Sequence, residues 1–215
     1  MGRWSLPLIL LLAAPASLRA QNRSPRLDLS MPAQIVAGVD APTVSLKAVL
    51  AEGHRRELLG AGWPTALHCR VELWKRGRIF FFDRESVVDW DLFVEYVPAT
   101  RLYHVRRKQD GRIDDLGQFP TIEEAEQIVD RPYRVPLAPK SSGKRYYYAF
   151  SLDVSTLSGN DLDAWQRWVR GDARPAIRGD SSRITALQRG VGSLLSRVLG
   201  GETQHYEVRA AFTAG

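Results

Sequence analysis

Between residues 65 and 75 apolar side chains recur at every second position. Leu67, Cys69, Val71 and Leu73 fall on one side of an extended chain, and His68, Arg70 and Glu72 fall on the other. Successive side chains of a strand point to opposite faces, so this pattern predicts a half-buried β-strand. The alternation returns over 87–97, where Trp90, Leu92, Val94 and Tyr96 stand against Asp89, Asp91 and Glu95. It is longest over 144–154, with Tyr146, Tyr148, Phe150, Leu152 and Val154 aligned. Shorter stretches predict strands over 43–49, 101–107 and 206–212, a continuation over 79–82 after a turn at Gly77, and an edge strand over 26–31 that Pro32 would end. Gln109-Asp110-Gly111-Arg112 carries the Asp-Gly signal of a tight reversal.

Helical spacing takes over in four places. Residues 50–61 put Leu50, His54 and Leu58 on one side and stop at Gly60 and Gly62. Thr121-Ile122-Glu123-Glu124 is a capping box; Ile122, Ala125, Ile128 and Val129 form the apolar face behind it, and Pro132 bounds the helix. Residues 161–170 present Leu162, Trp165, Trp168 and Val169, and residues 184–199 carry a stripe that includes Ile184, Leu187, Val191 and Leu195. Strands in meander order with helices inserted singly predict an α+β fold. The expectation is a single domain, mainly antiparallel β-sheet (meander- or sandwich-like), with three to four short helices packed on it.

The start of the chain changes the picture from fold to address. Arg3 precedes an apolar run over 6–16, and small residues lead to a cut after Ala20, which is the grammar of a secretory signal peptide. A cut after Ala16 also satisfies the small-residue preference but shortens the apolar core. The run falls short of the roughly 20 apolar residues that span a bilayer, so no transmembrane segment is expected once it is cleaved. The expected organisation is therefore a signal peptide over 1–20, a lead-in over 21–42, a core domain over 43–170, a connector over 171–183, and a C-terminal helix and strand over 184–215. Export to the periplasm or beyond follows.

Composition narrows the function classes. The 215 residues are 44% hydrophobic and 25% charged, an ordinary globular balance. Thirty basic against 24 acidic side chains give a net charge of +6, which falls to about +4 without Arg3 and Arg19 and favours anionic partners. Export argues against nucleic acid as that partner. The single cysteine, Cys69, excludes an intramolecular disulfide and any multi-cysteine zinc site, and its place in the alternation assigns it to the core.

The order of elements also resembles a known family. The run Leu58-Leu59-Gly60-Ala61-Gly62-Trp63-Pro64 leads to a strand ending Leu73-Trp74-Lys75-Arg76. After it come Ile79-Phe80-Phe81-Phe82-Asp83, Phe93-Val94-Glu95-Tyr96, Leu102-Tyr103-His104-Val105 and Phe119-Pro120-Thr121-Ile122-Glu123-Glu124-Ala125. This order is similar to the bacterial exported family called domain of unknown function 4390, over roughly residues 43–170. The resemblance implies an envelope location and supplies no activity and no catalytic residues.

No phosphate-binding Gly-Lys-Ser/Thr loop, His-Glu-x-x-His motif or nucleophile elbow is present, and no cofactor or metal is expected. Histidines at 54, 68, 104 and 205 lack ligand-like spacing. The pairs Asp89/Asp91 and Asp114/Asp115 are candidate paired carboxylates, against which stands a solvated sheet face. Arg101, Arg106, Arg107, Lys108 and Arg112, with Tyr103 and His104 interleaved, form the candidate anion-binding patch. A charged sheet edge that blocks aggregation is the alternative for these residues. The expected function is a non-catalytic binding or adaptor module for another envelope protein, or for an anionic lipid or polysaccharide. The competing class is a hydrolase using surface carboxylates and His68.

Overall fold

The computed structural model describes residues 24–77, 81–156 and 203–215. In chain order the elements are β1 (Arg26–Ser30), β2 (Thr43–Lys47), α1 (Gly53–Gly60), β3 (Thr65–Arg76), β4 (Phe82–Val97), β5 (Leu102–Gln109), β6 (Arg112–Phe119), α2 (Ile122–Val129), β7 (Tyr133–Arg134), β8 (Arg145–Thr156) and β9 (Gln204–Thr213). They build two antiparallel sheets, one ordered β1-β2-β7 and the other β6-β5-β4-β3-β8-β9. The class is α+β-like and mainly antiparallel sheet, as the alternation predicts. Two helices occur among the described residues, where three to four were expected; those expected over 161–170 and 184–199 lie outside the described residues, as do the signal segment and the connector.

The core fills the space between the six-stranded sheet, the small sheet and the two helices. Leu67, Cys69, Val71 and Leu73 of β3 and Tyr148, Phe150 and Leu152 of β8 are fully buried there. Each such large apolar side chain contributes roughly 1.5–3 kcal/mol by leaving water. Tyr148 reaches the interior with its hydroxyl satisfied, donating to the Leu137 carbonyl at 2.6 Å. Thr121 caps α2 by accepting from the Glu124 amide at 3.2 Å, as the capping box requires. Among the described residues no helix is long and apolar enough to cross a membrane.

Three expectations are corrected. Helix α1 turns Arg55 and Leu59 inward, not His54 and Leu58. The helix begins only at Gly53, so Leu50 packs from the preceding bend and the buried stripe shifts by one position. Arg55 is tolerated inside because it donates to the Val49 carbonyl, to Gln204 Oε1 at 2.5 Å and pairs with Glu52 at 2.7 Å. Residues 82–97 form one strand of 16 residues rather than two pieces, with a bulge at Glu85 of β4 opposite Leu73/Trp74 of β3. Strand β6 was not expected at all. Its apolar residues Ile113, Leu116 and Phe119 are three apart because a bulge opposite Val105/Arg106 breaks the period of two.

Candidate functional site

The outer face of the six-stranded sheet carries the polar phase of every alternation, and its register aligns charges in rows. Lys108 of β5 lies opposite Asp91 of β4, Asp91 opposite His68 of β3, His68 opposite Asp153 of β8, and Asp153 opposite His205 of β9. Basic and acidic side chains thus alternate across five strands. His68 Nδ1 meets Asp91 Oδ1 at 2.7 Å, and His205 Nδ1 meets Asp153 Oδ1 at 2.6 Å. Burial pulls the His68 pKa down, but the hydrogen bond and charge of Asp91, helped by Asp89 and Asp153, outweigh it, and the value ends above the usual 6.5. Lys108 is desolvated to about 8 despite Asp91. Hydrogen-bonded and opposite-charge pairs placed directly across strands stabilise a sheet, so this row first explains why the face is polar yet ordered.

One end of the same face is aromatic. Trp74 of β3 stacks on Tyr147 of β8 at 5.9 Å and 6°, Phe82 of β4 meets Tyr147 edge-on at 4.9 Å, and the Arg209 guanidinium lies 5.9 Å over the Tyr147 ring. Phe81, just before β4, is 75% exposed and Phe82, its first residue, 42%. Glu72 holds the group together. Its carboxylate accepts from Arg70 Nε and Nη2 at 2.9 and 2.8 Å, from Arg84 Nη1 at 3.0 Å and from Trp74 Nε1 at 2.9 Å. Burial raises the Glu72 pKa, but these donors prevail and hold the carboxyl below its ordinary value.

The five cations of the expected patch do not converge. Arg101 sits exposed in the β4–β5 turn with φ 57°, and Arg112 is exposed at the opposite end of the β5–β6 hairpin. The intervening eight residues of β5 separate those ends by roughly 26 Å. Within β5 neighbouring side chains take opposite faces. Arg106 and Lys108 are on the outer face, where Arg106 pairs with Glu95, whereas Arg107 faces inward and donates to Asp114 Oδ2 at 2.8 Å. The expected carboxylate pairs divide likewise. Asp89 and Asp91 share the outer face, but Asp114 turns to Arg107 while Asp115 accepts from the Gly117 amide at 2.9 Å. His68 and Asp91, both named in the hydrolase alternative, lie side by side. Cys69 is buried and its thiol pushed well up by desolvation, which suppresses the thiolate. Among the described residues no group of three or more His, Cys, Asp or Glu side chains is arranged to hold a metal ion.

A cleft of about 260 Å³ opens on the inner side, between the sheet, β2, β7 and α2. Its walls are apolar, with Leu46, Trp90, Leu92, Ile128, Tyr133 and Phe150 among them, and two cations, Arg107 and Arg131, stand in the lining. Trp90 packs 4.9 Å from Tyr133 and 6.2 Å from Phe150. The Arg107 guanidinium lies 5.7 Å from the Tyr133 ring centre, and its Nε is buried without an acceptor.

Compared with protein-family models, curated proteins and solved structures, the chain finds no match. The arrangement itself is therefore the guide. It offers an ionic sheet face, a braced aromatic cluster and an apolar cleft with an arginine. Sequence reasoning missed the last two. An aromatic in the polar phase of a strand, as Trp74 and Tyr147 are, was the available signal for the cluster. Nothing local marked the cleft, whose walls come from elements up to 106 positions apart, from Val44 to Phe150.

Proposed function

We propose that this chain is an exported envelope protein that binds another envelope protein through the aromatic and arginine cluster around Tyr147, and does not act by catalysis. The observation that carries this reading is the cluster: Phe81 and Phe82 stand exposed beside Trp74, Tyr147 and Arg209, and Glu72 braces Trp74, Arg70 and Arg84 from beneath. Aromatic and arginine side chains dominate binding hot spots, and side chains fixed before association lose less freedom on docking. Export rests on the first twenty residues with a cut after Ala20, and the resemblance of residues 43–170 to the domain of unknown function 4390 family supports an envelope location. An anionic lipid or polysaccharide as the main partner has less support, since Arg101 and Arg112 lie at opposite ends of β5 and Arg106 on the outer face already holds Glu95.

The hydrolase reading keeps one supporting observation, the His68–Asp91 pair at 2.7 Å. That pair lies on the sheet face opposite the cleft, which favours binding over chemistry there. Crosslinking in the native envelope tests the choice. The wild type is expected to give a protein adduct, and the combined Phe81→Ser, Phe82→Ser and Tyr147→Ala variant to lose it at least about tenfold with its melting retained. An undiminished adduct removes the cluster from the interface. Turnover of ester substrates by the purified protein, lost in His68→Gln, would restore the hydrolase.

A further inference from the structure

The inner cleft has a chemistry that the outer face does not share. Its walls are built by two sheets and a helix: Leu46 from β2, Trp90 and Leu92 from β4, Phe150 from β8, Ile128 from α2 and Tyr133 from β7. Into this apolar setting β5 sends one guanidinium, Arg107. Asp114 satisfies only its Nη2, at 2.8 Å, and its Nε is buried with no acceptor. A buried donor nitrogen without an acceptor is unfavourable even where the charge itself is paired, and an arginine fork takes a carboxylate in two parallel bonds. Arg131 adds a second cation to the lining, and among the described residues no carboxylate side chain lines the cleft. A cavity of 150 Å³ accepts benzene, so about 260 Å³ suits a ring with a short chain or an alkyl chain of roughly eight carbons.

We infer that the cleft is a binding site for a small amphipathic monocarboxylate, a medium-chain or aryl-substituted acid, whose apolar part packs on Trp90 and Phe150 and whose carboxylate engages Arg107. This site is independent of the protein-docking cluster, because the two lie on opposite faces of the six-stranded sheet. Charge and shape divide the work. The aromatic and aliphatic walls take any chain of that length, and Arg107, with Arg131 nearby, selects the anion over its neutral analogue. To present Nε the guanidinium must turn, exchanging part of its contact with Asp114 Oδ2 for the ligand carboxylate.

Octanoate and 1-octanol, matched in length and different in charge, are the probes. In calorimetric titrations of the mature protein, octanoate should bind at least about tenfold more tightly than octanol. Arg107→Met should abolish that preference while leaving octanol affinity within about twofold. Ser45→Trp, which fills the lining without touching the charge, should weaken both probes. In nitrogen-15 NMR spectra of the wild type, octanoate should move the Trp90 indole signal and leave that of Trp63 in place, a reading that needs no variant to fold. No octanoate binding at millimolar concentration overturns the inference. So does equal affinity for acid and alcohol, a preference that survives in a folded Arg107→Met protein, or shifts confined to residues outside the cleft.

Discussion

Glu72 shows how much one side chain can carry. Three neighbours on two strands, Arg70, Trp74 and Arg84, donate to it, and the Trp74–Tyr147 stack depends on that anchorage. Hydrogen bonds to a charged group are worth about 1.5–3 kcal/mol in a half-buried setting. Glu72→Gln keeps the size and removes the charge, so its melting temperature should fall by about 3–6 °C, read by circular dichroism. The pH dependence has a definite sign. The folded pKa of Glu72 lies below its ordinary 4.5, so its stabilisation is complete above 4.5 and fades as pH falls through the folded value. In Glu72→Gln that acid-side loss should shrink; an unchanged acid limb would mean other carboxylates govern it. The sequence shows Glu72 only as one more polar position in an alternating strand. Its role comes from Arg84, twelve residues away, which the β3–β4 turn brings alongside.

At the level of elements, β6 and α1 explain where pattern and structure part. A bulge inserts a residue and shifts all later side chains by one face, so 112–119 has no period of two to read. Gly117 in that strand has φ 122°, and a Cβ there would meet the Phe119 ring at 2.8 Å. Gly117→Ala should therefore cost about 1–3 kcal/mol, measured by denaturant unfolding, whereas the same change at Gly53 meets nothing within 4 Å. Equal costs at the two sites would remove the close approach as the reason for Gly117. In α1 the displaced stripe follows from the late helix start, and Arg55 becomes internal because Gln204 of β9 and Glu52 receive its charge. A partner 149 positions away leaves no trace in the local sequence.

At the scale of the molecule, the tie between α2 and the β2–α1 connection makes folding pH-dependent. Glu126 accepts from the Leu50 and Ala51 amides at 3.1 and 3.0 Å, and Asp130 beside it approaches the Ala48 amide at 3.5 Å. Burial first, and then the Glu126 charge, push Asp130 up to about 6. An acid whose folded pKa is raised holds its proton longer in the folded state, so stability declines as pH rises from about 4 to about 6. Asp130→Asn should flatten that decline and stabilise the protein above pH 7 by about 1 kcal/mol once solvent screening is allowed for, as urea titrations at several pH values would show. A decline unaltered in Asp130→Asn would place its source elsewhere. The period-two alternation alone determined the long strands β3 and β8, the inward set from Leu67 to Leu73, the buried Cys69 and the antiparallel class, because side chains on a pleated chain must alternate wherever one face is dry. The capping box determined the start of α2 for an equally local reason, a side-chain oxygen three residues from an orphan amide. Only the tertiary structure decided strand order, the division of Arg106 and Arg107 between two faces, the ionic row from Lys108 to His205, the braced aromatic cluster and the arginine in the cleft. Each of those needs residues far apart in the chain to meet, and the register that brings them together is set by the packing of the whole.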